Sequence, residues 1–436
     1  MSLDNVSMRL RSPEEIEALE TNILTYENPD ADPKSKRVLV SADNPGAFNA
    51  MQHIVRALMH DSRCSGVVAL MSGKAMENFD KECPGFTHVR DEETRPDGSK
   101  RLKGIFEELG DLSEKHPFDV ALVSISAKDG PETSLLFAGK GVFGKKGFLG
   151  FGRMKTYMYV DAWGGPGGAF KLPTDQMEKM DGIFCNDNLA KGIIHRAYPN
   201  FPEQRIQALG SPVAEHIDPS RVKENREKAR QELKISSDSF VVFYIGDRAR
   251  DYEGHSIYNP NSNIETFEKT TDVLKTWAQK EKNRNRKIAF ITRPHPRDEE
   301  KARFERVVRA TANDMPPNIQ IVFATDTDGE RDRRLFGLCA DAANVVAGII
   351  PTDVQMAPLR GSNGIYLAFP ERGLGKDIQL QIWGPLVGSV ETERIKIVSS
   401  AGGLERAFDA FLQETSYGSS ASSAGATAGI VETILR

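Results

Sequence analysis

The chain has 436 residues, a net charge of −5 and 27% charged residues, so no global field favours nucleic acid or anionic lipid, and any anion must be bound locally. Its length suits about two or three domains. Four cysteines, Cys64, Cys83, Cys185 and Cys339, show no CxxC or metal-ligand spacing, which predicts reduced structural thiols in a cytoplasmic protein.

Residues 1–36 are polar and rich in Pro, Asp and Glu, which predicts a leader or a short helix lying outside the core. They hold no continuous apolar segment of the kind that directs secretion. No run of about 18 apolar residues occurs, so no membrane span is expected and only peripheral contact stays open. From Arg37 strand and helix patterns alternate. VLVSA is followed by an amphipathic helix with Met51, Ile54, Val55 and Leu58 on one stripe, and then by GVVALMS, FDVALVSIS, TYMYVDAW and DGIFCN. Continuous apolar runs of this kind suit strands covered on both faces in a parallel sheet. Residues 37–215 therefore read as one α/β domain. His53 lies off the helix stripe and reads as a solvated histidine. GKGVFG, at Gly139 to Gly144, fits a dinucleotide fingerprint and most of a phosphate loop. However, Lys146 stands where the phosphate loop needs Ser or Thr, and no helix pattern follows. Residues 137–153 read instead as a Gly, Lys and Phe loop, overhanging a cleft or serving as a surface excursion or oligomer contact.

Residues 206–247, IQALGSPVAEHIDPSRVKENREKARQELKISSDSFVVFYIGD, give a short strand, a Gly-Ser-Pro break, a charged helix and an apolar strand that stops at Gly246-Asp247. One domain ends there and another begins, with residues 216–238 as a charged linker helix. The second domain, residues 239–412, continues with FVVFYIG, KIAFIT, IQIVFA, NVVAG and GIYLAF, separated by helices around residues 265–280, 298–310 and 333–339. Residues 413–436 read as a flexible tail rich in Ser, Ala and Gly, its last residues IVETILR able to form a short helix. The order and spacing around the junction resemble nucleotide-sugar glycosyltransferases of the GT-B type and the related nucleotide-sugar 2-epimerases. That resemblance implies an α/β fold of two Rossmann-like parallel-sheet domains facing each other across a cleft. The second would bind a nucleotide sugar, UDP-linked, as co-substrate. The first would bind a glycan or other hydroxyl-bearing acceptor, with no cofactor and no metal.

In open parallel sheets ligands bind beyond the carboxyl ends of strands, where loops and helix N-termini converge. The rule selects Asp43, Asn44 and Gly46 after VLVSA, Ser124 and Ser126 in VSIS, Asp161 after TYMYV, and Asn186, Asp187 and Asn188 after GIFC. In the second domain it selects Gly246, Asp247 and Arg248, then Arg293, His295 and Arg297, then Thr325 and Asp326, and finally Pro351, Thr352, Asp353 and Gln355. In ITRPHPRDEE two prolines stiffen a turn that carries two arginines and a histidine, a set able to give a diphosphate charge-assisted hydrogen bonds. The other reading is a surface turn in which Arg293 and Arg297 pair with Asp298 or Glu299. RPHP resembles the KPHP turn of polyol-phosphate transferases. The segment from NVVAG to GIYLAF resembles the GT-B donor loop, with Thr352 and Asp353 in its turn and Gln355 where a Glu is often found. An ordinary helix cap explains the same residues.

Asp161, in YVDAWGGPGG, is similar to a D-x-W element of such proteins and is the candidate base for an acceptor hydroxyl, with Asp43 as rival and His295 as a further catalytic candidate. A turn aspartate is the alternative for Asp161, and Asp187 reads as a cap of the next helix. Asp326-Thr327-Asp328 mimics a metal-binding DxD but reads as a capped turn. The expected activity is metal-independent sugar transfer. The alternatives are 2-epimerisation or hydrolysis of the nucleotide sugar on the same fold, and sugar-nucleotide or glycan binding without catalysis. Oligomer formation stays open.

Overall fold

The apolar runs that alternate with amphipathic segments form two sheets. The computed structural model describes residues 22–42, 45–71, 76, 79, 81–89, 92–94, 100–102, 105–124, 154–160, 174–178, 180–246, 262–294, 301–325, 329–349, 352–369, 394–413 and 425–436. Packing divides the chain into one unit of Met1–His216 with Ser423–Arg436 and another of Ile217–Ser422.

The first unit carries β1 (Asn22–Glu27), β2 (Lys36–Ala42), α1 (Pro45–Met59), β3 (Cys64–Met71), β4 (Thr87–Val89), the small pair β5 (Glu92–Thr94) and β6 (Lys100–Leu102), α2 (Ile105–Lys115), β7 (Val120–Ser124), β8 (Lys155–Val160), β9 (Gly182–Cys185), α3 (Asn188–Ala197) and β10 (Ile206–Ala208). Its main sheet has the order β10-β9-β8-β7-β2-β3-β1-β4. From β10 to β3 every pairing is parallel. Val38, Val40, Val67, Val120 and Leu122 are fully buried, as expected for strands covered on both faces. Helix α1 lays Met51, Ile54, Val55 and Leu58 into this core without exposure. His53 beside them is half-buried and has interaction partners, not the solvated residue expected. The Asp187 carboxylate caps α3 by accepting the Ala190 N–H at 2.8 Å.

Two expectations need correction here. Part of the leader belongs to the sheet, because β1 runs antiparallel to β3, with Tyr26 opposite Val67. Its anchors, Ile23 and Leu24, are buried, but two apolar residues do not stand out in a polar stretch. The last residues are not a flexible tail, as described below.

The second unit carries α4 (Val222–Glu232), β11 (Phe240–Ile245), α5 (Ser262–Gln279), β12 (Ile288–Arg293), α6 (Lys301–Asn313), β13 (Ile319–Phe323), α7 (Gly329–Ala342), β14 (Val345–Gly348), α8 (Thr352–Met356), β15 (Asn363–Leu367), β16 (Ile395–Val398) and α9 (Ala401–Gln413). All pairings in its six-stranded sheet are parallel. One face is aromatic, with Phe240, Tyr244 and Phe290 meeting Phe267 and Trp277 of α5, Phe304 of α6 and Phe408 of α9.

Helix α4, expected as a charged linker, is built into this unit. Arg226 donates to the carbonyls of Asp341 (3.4 Å) and Gly361 (2.8 Å), and Arg230 to those of Ala342 (3.1 Å) and Ser237 (2.6 Å). Carbonyls at the end of α7 lack helical partners, and the negative end of the helix dipole lies there, so buried guanidiniums satisfy both. Gly361 turns with φ +70°, and a Cβ there would meet Val222 Cγ1 at 2.4 Å.

The chain then returns to the first unit as α10 (Ala426–Leu435). Ile430, Val431, Ile434 and Leu435 are buried in the first core beside α1. Polar contacts frame this stripe. Arg63 pairs with Glu432 at 2.6 Å, the Thr427 N–H donates to Glu215 at 3.1 Å, and Lys36 reaches the Ile434 carbonyl at 3.4 Å. Hydrogen bonds from Arg63 and Arg436 hold the Glu432 carboxyl below its usual range.

Candidate functional site

In the second sheet the order is β13-β12-β11-β14-β15-β16. The chain builds outward from β11 on one side, then returns and builds outward on the other. Such a reversal opens a crevice beyond the carboxyl ends of the two central strands, and ligands of open α/β sheets bind there. Register sets Ile245 between Arg293 and Gly348 at that edge.

Arg293, the last residue of β12, is only 4% exposed. Its guanidinium carbon lies 5.0 Å from the centroid of the Phe336 ring on α7, and Phe336 in turn leans on Phe243 at 5.7 Å. A cation on an aromatic face keeps a fixed fork direction with little hydration to lose. Gly246 donates its N–H to the Arg293 carbonyl at 2.7 Å. A Cβ at Gly246 would stand 3.1 Å from that carbonyl and from the Asn263 side chain, so a larger residue there would crowd both. Tyr244 Oη donates to the Asn263 carbonyl at 2.9 Å and fixes the start of α5.

On the other side of the reversal, Thr352 opens α8 and Gln355 within it is buried. A Cβ at Gly364 would lie 2.6 Å from the Val354 carbonyl, so the glycine lets α8 sit directly on β15. Thr325 is half-buried just beyond β13. Gly246, Arg293, Thr325, Thr352 and Gln355 therefore share the carboxyl edge of one sheet. Asp247, Arg248, His295, Arg297 and Pro351 lie outside the described residues, as do Asp326 and the side chain of Asp353.

In the first sheet the reversal falls between β2 and β7. Gly46 is in the first turn of α1, just beyond β2. Ser41 and Ser124, near the ends of the two central strands, are fully buried with side-chain hydroxyls that find no partner. Ser124 faces Tyr159 in register, and Tyr159 Oη donates to Asn186 Oδ1 at 2.6 Å. Asp43, Asn44, Ser126 and Asp161 lie outside the described residues. Sequence reasoning missed Phe336, Asn263 and Tyr159. An aromatic platform under a cation has no local sequence signature, since Phe336 reads as an ordinary apolar helix residue.

The cysteines take no part in this chemistry. Burial pushes the thiols of Cys64 and Cys185 up to about 12 and that of Cys83 to about 11, and Cys339 is buried as well. Thiolate is the reactive form. The native protein is therefore expected to resist iodoacetamide at pH 8 and to be alkylated at all four positions once unfolded, counted by intact-mass measurement. Rapid native labelling of Cys185 would contradict this. Among the described residues, no three His, Cys, Asp or Glu side chains come together as metal ligands do. Among the same residues, no helix is long and apolar enough to cross a membrane.

No protein-family model matches the chain, and no curated protein matches it in sequence. Solved structures do match in fold. The UDP-GlcNAc 2-epimerase of Neisseria meningitidis bound to UDP-GlcNAc superposes with a TM-score of 0.56 at 12% identity, covering 92% of this chain and 99% of that one. The enzyme of the same name from Methanocaldococcus jannaschii gives 0.55 at 13%, covering 91% and 99%. The S. aureus MnaA–UDP structure gives 0.55 at 10%, covering 92% and 96%. The chain has the GT-B-type fold. Its two largely parallel sheets correspond to the two Rossmann-like halves of that fold.

Proposed function

We propose that the protein is an enzyme acting on a nucleotide sugar, UDP-linked, whose diphosphate is held at the carboxyl edge of the second sheet. The observation that carries this reading is the buried Arg293 at the strand-order reversal, flanked by the Gly246 turn and the start of α8 at Thr352. Cleaving the sugar–diphosphate bond puts negative charge on the leaving group, and a fixed guanidinium with backbone N–H groups stabilises that charge. His295 and Arg297 follow Arg293 closely in the sequence and would add donors.

The fate of the sugar separates two readings. Transfer to a hydroxyl acceptor would use Asp161, or Asp43, as proton acceptor. Epimerisation or hydrolysis needs no acceptor, and the structural similarity to UDP-GlcNAc 2-epimerases favours it. The test begins with thermal melting against UDP, other nucleoside diphosphates and their sugars. A ligand at about 100 times its Kd stabilises by roughly 2.7 kcal/mol. The shifting nucleotide sugar is then incubated without acceptor. Free UDP or an epimerised sugar establishes the second reading, and turnover only with an added acceptor the first. If transfer is the reaction, Asp161→Asn is expected to lower turnover roughly 100-fold with nucleotide affinity unchanged. If no nucleotide or nucleotide sugar raises the melting temperature, the proposal fails.

A further inference from the structure

The second unit has a pocket at the opposite edge of its sheet, where Phe240 opens β11 and Asn363 opens β15. Its volume is about 190 Å³, below the roughly 300–1,000 Å³ typical of pockets for larger organic ligands. Among the described residues, four arginines line it, Arg226, Arg230, Arg286 and Arg394, with one carboxylate, Asp238. That carboxylate is engaged by Lys287 at 3.1 Å and by the Ser236 hydroxyl at 2.5 Å.

The arginines differ in what they already do. Arg226 and Arg230, 5% and 6% exposed, are fixed by the main-chain carbonyls at the end of α7 and around it. Arg394 donates to Asn363 Oδ1 at 3.3 Å and the Ser362 carbonyl at 3.1 Å. These contacts hold three guanidiniums in place. Arg286, on the turn between α5 and β12, is the exception. Its Nε is buried and has no hydrogen-bond partner. A buried donor left unsatisfied is costly, and a charged one more so. An acceptor of negative charge would satisfy it, and several arginines lining a small space suit the tetrahedral oxygens of phosphate.

We propose that this pocket binds a phosphate group, free or carried on a small molecule. The site is separate from the candidate nucleotide edge and does not depend on the proposed function, because the amino ends of the strands lie across the sheet from the Arg293 edge.

The test is calorimetry with inorganic phosphate and, in parallel, glycerol 3-phosphate, on the full chain and on Arg286→Ala, Arg286→Lys and Arg293→Ala. The expected result is one site whose affinity falls about tenfold or more in Arg286→Ala, is partly kept in Arg286→Lys, and is unchanged in Arg293→Ala. Tighter binding of the ester than of free phosphate identifies a carried group as the ligand, and the reverse identifies the free ion. Melting of Arg286→Ala without phosphate, at the wild-type temperature, assigns the loss to ligand contact and not to unfolding. The proposal is overturned if wild type binds neither probe, if Arg286→Ala binds as wild type does, or if Arg293→Ala alone abolishes the signal.

Discussion

A chain ending at residue 424 is expected to lose cooperative unfolding of its first unit. Without α10, four buried apolar side chains, Ile430, Val431, Ile434 and Leu435, leave the core, and the surface they cover on α1 meets water. Burial of such a side chain contributes about 1.5–3 kcal/mol. Even after discount for a compact unfolded state, the sum rivals the roughly 5–15 kcal/mol that separates a folded domain from its unfolded chain. Calorimetric melting should show the first transition broadened, shifted down by many degrees or absent, with apolar dye binding at room temperature. Ile434→Asp should reproduce much of the effect in the full-length chain, since it puts a charge into an apolar core. If the shortened chain melts like the full one, α10 contributes nothing to that core. Residues 1–216 alone should fail to fold for the same reason.

Arg293→Ala is expected to weaken UDP binding by one to two powers of ten. In the proposed site the side chain would supply charge-assisted hydrogen bonds, each contributing about 1.5–3 kcal/mol, and each 1.4 kcal/mol is a factor of ten. Because Arg293 covers Phe336, the variant also loses packing, so its melting without ligand must be measured beside the titration. Arg293→Lys keeps the charge but not the planar fork and should fall between the two. Wild-type affinity in Arg293→Ala would remove the diphosphate from this edge.

The strands were the most legible part of the chain. VLVSA, FVVFYIG and KIAFIT are nearly continuous apolar runs because both faces of a parallel strand are covered, and their shortness and β-branched or aromatic content separate them from buried helix. The carboxyl-edge rule then brought Gly246, Arg293, Thr325, Thr352 and Gln355 to one edge, because position at a strand end depends only on where the apolar run stops. Elements whose burial depends on distant partners stayed hidden. Helix α10 follows a run of small residues, and its four apolar positions gain meaning only from a groove in the other half of the sequence. Arg226 and Arg230 lie in what the sequence shows only as a charged linker helix, and the carbonyls they bond come from the end of α7, far along the chain. The Arg286 pocket was equally invisible, since its four arginines come from three separate parts of the chain.

The inert thiols make the chain convenient for spectroscopy. With Cys64, Cys83, Cys185 and Cys339 all buried, a cysteine introduced on a surface helix would be the one that accepts a dye or spin label, with no core residue replaced beforehand. One such label on α3 and another on α9 would form a molecular ruler. Its reading with and without an added nucleotide sugar would report whether the distance between the two labels changes.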